Sequence, residues 1–125
     1  EKMRKQTKLI FIDFHAEFEQ EKEALAHYFD GKVSAVVGTH THVQTADERI
    51  LDGGTGYITD LGLCGPISGV IGSDPNIAIE RQLTQIPLRN QILDAPAYLQ
   101  GVVCTVDVDS GKTRSIKRIN EQFGF

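Results

Sequence analysis

Two short apolar runs that each give way to histidine constrain this chain more than any other feature. Lys8-Leu9-Ile10-Phe11-Ile12-Asp13-Phe14-His15 is almost continuously apolar up to its polar end, the pattern of a strand buried on both faces. Val33-Ser34-Ala35-Val36-Val37-Gly38 repeats the pattern and runs into Thr39-His40-Thr41-His42. Between the two, residues 17–29 turn rich in Glu, Lys, Ala and Leu. Phe18, Leu25, Tyr28 and Phe29 are spaced for one helical face, and Asp30-Gly31 stops the helix. A helix between two buried strands favours parallel pairing through a right-handed crossover, which puts both strand C-termini, and so His15 and His40, on one edge of a sheet. Ligands of open α/β sheets collect at that edge.

The remaining pieces extend the same α/β class. Arg49-Ile50-Leu51 and Gly56-Tyr57-Ile58-Thr59 flank Asp52-Gly53-Gly54, which predicts a hairpin. Residues 60–72 form a glycine-rich stretch read as irregular loop. Asp74 as N-cap and Pro75 at the first helical position begin a helix that runs to about Gln85, and Pro87 ends it. Residues 99–107 alternate as a strand with Val102, Cys104 and Val106 on one face. Asp109-Ser110-Gly111-Lys112 turns the chain, and residues 113–119 return as its partner. The 125 residues are the length of one ordinary domain. With 13 Lys+Arg against 17 Asp+Glu and a net charge of -4, the chain offers no footprint for duplex nucleic acid or an anionic membrane. No apolar run approaches the roughly 20 residues that span a bilayer, and no signal-peptide pattern opens the chain, so the expected location is cytoplasmic. Cys64 and Cys104 lack metal-ligand spacing and are expected to be reduced.

The histidines carry the chemistry. In an extended segment residues i and i+2 project to one side, so His40 and His42 are expected to face one point that His15 reaches from the neighbouring strand end. Imidazole is a ligand for Zn, Mn or Fe, and metal binding removes the cost of three converging imidazoles. The plainer alternative for each is a hydrogen-bonded structural histidine, and His27, within the helix beside Tyr28, is read as a surface or packing residue. Asp13, two residues before His15, either orients an imidazole or caps the strand end. Asp60, beside the glycine-rich stretch, either holds an imidazole N–H or organises the turn. Glu17 begins the helix, where negative charge suits the dipole. The string Gly62-Leu63-Cys64-Gly65 is not followed by the Lys-Ser/Thr pair of a Walker motif, which makes it a substrate-side loop rather than a triphosphate cradle.

Three strings together resemble the YmdB-type branch of the calcineurin-like metallophosphoesterases: Phe11-Ile12-Asp13-Phe14-His15-Ala16-Glu17, Val36-Val37-Gly38-Thr39-His40-Thr41-His42-Val43-Gln44-Thr45-Ala46-Asp47, and Ile58-Thr59-Asp60-Leu61-Gly62. The Gly-Thr-His-Thr-His string is the specific part. The resemblance runs over residues 8–119 and implies a four-layer α/β/β/α sandwich carrying two metal ions, iron or manganese, that hydrolyses phosphodiesters such as 2′,3′-cyclic nucleotides. It implies that His15 and His40 ligate one ion and His42 the other, with Asp13, Thr39, Thr41, Asp60 and Gly62 in supporting or substrate-loop positions. Residues 44–47 and 61–71 are the expected specificity loops.

The resemblance also implies an incomplete site. The family's chains are longer, and the segment that precedes these strings supplies the bridging carboxylate, further ligands and the histidine that protonates the leaving oxygen. None has a counterpart here, so no catalytic acid is assigned. Hard divalent ions want oxygen donors beside imidazole. The chain therefore reads as the C-terminal half of a single metallophosphoesterase domain, beginning within a helix at Glu1-Lys2-Met3-Arg4. Its expected partners are the N-terminal half of the same polypeptide, a small phosphodiester substrate and, through an uncovered sheet face, further copies of itself. Alone it is expected to be inactive. The alternative is a non-catalytic metal-binding or assembly module in which the same histidines hold a single Zn or nothing.

Overall fold

The structure, a computed structural model, describes residues 1–123. After a single 3-10 turn at Met3–Lys5 the elements are β1 (Phe11–His15), α1 (Glu19–Tyr28), β2 (Ala35–Thr39), β3 (Arg49–Ile50), β4 (Gly56–Ile58), β5 (Cys64–Pro66), α2 (Pro75–Thr84), β6 (Ala97–Val106) and β7 (Thr113–Phe123). They form two sheets, of order β1-β2-β4-β3 and β5-β6-β7. β1 pairs with β2 in parallel, Phe11 opposite Ala35 through His15 opposite Thr39, and β2 pairs in parallel with β4. The second sheet is antiparallel throughout. The expected crossover unit and the hairpin β3–β4 are both present.

The core lies between α1 and the first sheet. Ile10, Ala26, Val33, Val36, Leu51 and Tyr57 form it, with Ile12, Leu25 and Phe29 packed against them. At the far end of α1, Asp30 accepts from Gly53 N at 2.7 Å and Thr55 N at 3.2 Å, tying the end of the helix to the β3–β4 turn. The second sheet is joined to the first through Thr113, which donates from Oγ1 to Ser34 O at 2.6 Å and from its N–H to Gly54 O at 2.9 Å.

Three expectations are corrected. β1 is not buried on both faces: Phe11, Asp13 and His15 are exposed while Ile12 and Phe14 are half-buried. The strand lies at a sheet edge, and α1 covers only one of its faces. The inward stripe of α1 is Lys22 and Ala26, both buried, with Leu25 and the C-cap Phe29 half-buried beside them, whereas Phe18 and Tyr28 stand 59% and 68% exposed. The glycine-rich stretch is not wholly irregular, because its residues 64–66 pair with β6 as β5. Helix α2 has the expected start, with Asp74 Oδ1 accepting from Asn76 N at 2.8 Å and Ile77 N at 3.4 Å, yet it buries no residue. Cys64 and Cys104 are free thiols. No helix among the described residues is long and apolar enough to cross a membrane.

Candidate functional site

The parallel register of β1 and β2 sets His15 beside Thr39 at the C-terminal edge of the sheet. Thr39 Oγ1 donates to Asp13 Oδ1 at 3.2 Å and lies 3.2 Å from His15 Nδ1. A hydroxyl has one proton to give, so with that proton on Asp13 the threonine accepts from His15, and Nδ1 is the protonated nitrogen. His15 Nε2 then carries the lone pair, and accepts from His40 Nδ1 at 3.2 Å. The two rings meet edge to face, with centroids 5.0 Å apart. Metal–imidazole bonds of about 2.1 Å put neighbouring ligand nitrogens roughly 3.0–3.4 Å apart in a tetrahedral or octahedral shell, which is the spacing of this pair. Asp13 does not touch the imidazole: its carboxylate bonds Thr39, and Thr39 in turn bonds His15.

His42 does not join them. Among the described residues no three His, Cys, Asp or Glu side chains gather closely enough to hold an ion. The i, i+2 argument does not apply here because β2 ends at Thr39, and His40 and His42 take φ values of 145° and 62° instead of continuing an extended segment. Such backbone is sparsely populated by non-glycine residues and clusters at functional sites. His27 is exposed near the end of α1 and takes no part.

Asp60 is an organiser of loops. Its carboxylate is fully buried, Oδ2 accepting from Thr41 N at 2.9 Å and Oδ1 from Gly62 N at 2.9 Å, and no imidazole among the described residues reaches it. The third partner is Lys22, whose ammonium lies 3.3 Å from Oδ2 with both side chains entirely buried. Burial pushes the Asp60 carboxyl up, but the N–H groups of Thr41 and Gly62 together with Lys22 outweigh it and hold the group below the ordinary carboxylate value. Lys22 is the residue that the sequence reading missed. It occupies the first position of an i, i+3, i+4, i+7 stripe with Leu25, Ala26 and Phe29, and that spacing was the available signal.

The loop that follows is bound into the scaffold. Gln44 Nε2 donates to Gly101 O and Ile119 O, each at 3.0 Å, pinning the first sheet's loop to the second sheet. Asp47 accepts from Thr45 Oγ1 at 2.6 Å and from Thr59 N at 3.2 Å and Oγ1 at 2.5 Å. Burial raises the Asp47 carboxyl, and the Thr45 and Thr59 bonds more than reverse it. Of the expected specificity loop 44–47, then, Gln44, Thr45 and Asp47 are committed to internal bonds. Gly62 has φ +87°, and a Cβ there would lie 2.1 Å from Gln100 Oε1. Its role is to let the chain turn under Gln100, which accepts from Leu63 N at 3.0 Å.

Comparison with known proteins gives a consistent picture. The YmdB-like protein family matches residues 1–119. Over 115 residues the chain is 52% identical to a 2′,3′-cyclic-nucleotide 2′-phosphodiesterase of Bacillus subtilis strain 168, covering 92% of this chain and 44% of that protein. Among solved structures, a novel phosphatase of Mycoplasma pneumoniae superposes with a TM-score of 0.88 at 38% identity, over 96% of this chain and 43% of the other. A hypothetical protein of Thermus thermophilus superposes with a TM-score of 0.82 at 34% identity, over 94% of this chain and 46% of the other. The chain thus spans less than half the length of each of these relatives.

Proposed function

The chain belongs to the YmdB-like family, and on that premise we propose that it forms the histidine side of a metal-dependent phosphodiesterase site. The observation that carries the reading is the His15–His40 pair, in which the Asp13–Thr39 bond turns the His15 Nε2 lone pair toward His40 Nδ1 at ligand spacing. His15 and His40 would hold one divalent ion, iron or manganese, and His42 would contribute to a second. When bound, such ions polarise phosphoryl oxygens and lower the pKa of water. The chain's own part is orientation. Asp13 fixes the Thr39 hydroxyl, Thr39 fixes the His15 tautomer, and Asp60 fixes the turn that presents His40.

The substrate class is a small phosphodiester of the 2′,3′-cyclic nucleotide type, by analogy with the Bacillus relative's name. The oxygen ligands and the proton donor would come from the part of the longer relatives that these 125 residues do not cover. The edge strand β1, with Phe11, Asp13 and His15 bare on one face, is where that remainder would complete a four-layer sandwich. Alone, the chain would hydrolyse nothing.

The test compares the 125-residue chain with a chimera in which the Bacillus relative's preceding half is fused ahead of Glu1, each assayed on 2′,3′-cyclic AMP with Mn(II). The chimera should turn over substrate and lose that activity on His40→Ala, while the chain alone stays silent. Metal-dependent turnover by the chain alone, lost on His40→Ala, would overturn the half-site reading. A folded chimera that binds no metal would overturn the enzyme reading, and one tightly held Zn in the chain alone would favour a non-catalytic module.

A further inference from the structure

We propose that Lys22 is a positioning residue for the histidines: its buried ammonium fixes Asp60, and Asp60 fixes the backbone between His40 and His42. The proposal rests on the reading of those histidines as metal ligands.

Three observations and one general rule carry it. Lys22 is in the first half of α1, and in a parallel βαβ unit that end of the helix lies at the same sheet edge as the strand C-termini. Its side chain is wholly buried and its only hydrogen-bond partner among the described residues is Asp60, itself wholly buried, at 3.3 Å. A buried ion pair is seldom the most stable filling for such a space, since apolar residues of equal volume commonly do as well or better, so packing alone does not explain it. The Asp60 oxygens instead serve two loops, Thr41 N at 2.9 Å and Gly62 N at 2.9 Å.

Thr41 is the residue between the two histidines with positive φ. Its N–H is the point at which the scaffold can hold that uncommon backbone in place. Without Lys22, Asp60 is an uncompensated buried charge that takes up a proton, draws in water or moves. Each response weakens or shifts the Thr41 anchor, and with it the approach of His40 to His15. Gly38 belongs to the same device. A Cβ at that position would lie 2.7 Å from Lys22 Cδ, so the lysine stem crosses β2 over the bare glycine.

The experiment uses Lys22→Met, which keeps the stem and removes the charge, and Lys22→Met/Asp60→Asn, which also removes the stranded carboxylate. Two readouts are taken on the 125-residue chain. Long-range ¹H–¹⁵N spectra of the imidazoles report tautomer and environment without metal, and visible absorption of added Co(II) reports ligation. In the wild type His15 should be the Nδ1–H tautomer. In both variants the His40 and His42 signals should move or broaden while His27 stays in place, and Co(II) should bind at least 10-fold more weakly.

The double variant should recover urea stability relative to Lys22→Met yet keep the weak Co(II) binding, because a neutral amide oxygen cannot serve both Thr41 and Gly62 as the carboxylate does. That split separates positioning from mere structural support. Folded variants with wild-type imidazole spectra and Co(II) affinity would overturn the proposal. If instead His15→Ala and His40→Ala leave Co(II) binding of the wild-type background unchanged, the metal reading beneath it fails.

Discussion

Gly38→Ala tests whether the site is held by close approach of β2 to the neighbouring loop. A Cβ at residue 38 would sit 1.9 Å from Thr59 O and 2.7 Å from Lys22 Cδ, and ordinary contact begins at 3.4 Å. The Thr59 carbonyl is backbone, so β2 and the end of β4 must part by about 1.5 Å, roughly a third of the spacing between paired strands. Overpacking of a core by a methyl-sized group costs about 1–3 kcal/mol, and a clash with backbone belongs at or above the top of that range. Parting the strands also moves Asp60, next to Thr59, away from Thr41. The Gly101→Ala variant is the internal control, since a Cβ there has no heavy atom within 4 Å. It should be neutral or, by lowering the entropy of the unfolded chain, stabilising by about 0.4–1 kcal/mol. Urea unfolding followed by far-UV circular dichroism decides the matter. We expect a loss of about 3 kcal/mol or outright failure to fold for Gly38→Ala, and none for Gly101→Ala. A Gly38→Ala chain within about 0.5 kcal/mol of wild type would refute the packing argument and with it the coupling of β2, Lys22 and Asp60.

Two further outcomes follow from the charges and caps. Asp47 and Asp60 are both held below the ordinary carboxylate value, the hydrogen bonds they accept outweighing the opposing effect of burial, so each contributes stability that is complete above the unfolded pKa of about 3.9 and is lost as pH falls through the lower folded value. The urea midpoint should therefore hold from pH 7 to about 5 and fall below about 4, with a shallower fall in Asp60→Asn; an unchanged acid limb in that variant would show that Asp60 is not the group responsible. Asp74→Ala removes the α2 N-cap at a local cost of about 1 kcal/mol, and because α2 buries no residue the cost should appear as faster amide exchange in the helix with an unmoved global midpoint. A global midpoint that drops with the cap would mean that α2 unfolds together with the core.

What could be read from the sequence was whatever local chemistry decides. The β1–α1–β2 unit, its parallel pairing, the Asp74-Pro75 helix start and the β3–β4 hairpin all announce themselves within a few residues. The burial of β1 was not legible, because a run of apolar residues looks alike at a sheet's edge and its centre. β5 was not legible either, since the strand that pairs with it, β6, comes only after α2.

At the site the division has a physical reason. His15, His40 and His42 were visible because few side chains ligate metals, and the edge argument did bring His15 and His40 within 3.2 Å. The alternation argument for His40 and His42 failed at two positive φ angles that only a tertiary anchor sustains. That anchor is made of ordinary residues that require one another. The missing Cβ of Gly38 admits the Lys22 stem, the buried ammonium requires the Asp60 carboxylate 38 residues away, and the carboxylate in turn takes the N–H groups of Thr41 and Gly62. A lysine in a Glu- and Lys-rich helix reads as solvated until Asp60 is placed beside it. The histidines of such a site are therefore found residue by residue, whereas the residues that hold their backbone are found only as a set, once the fold has brought the set together.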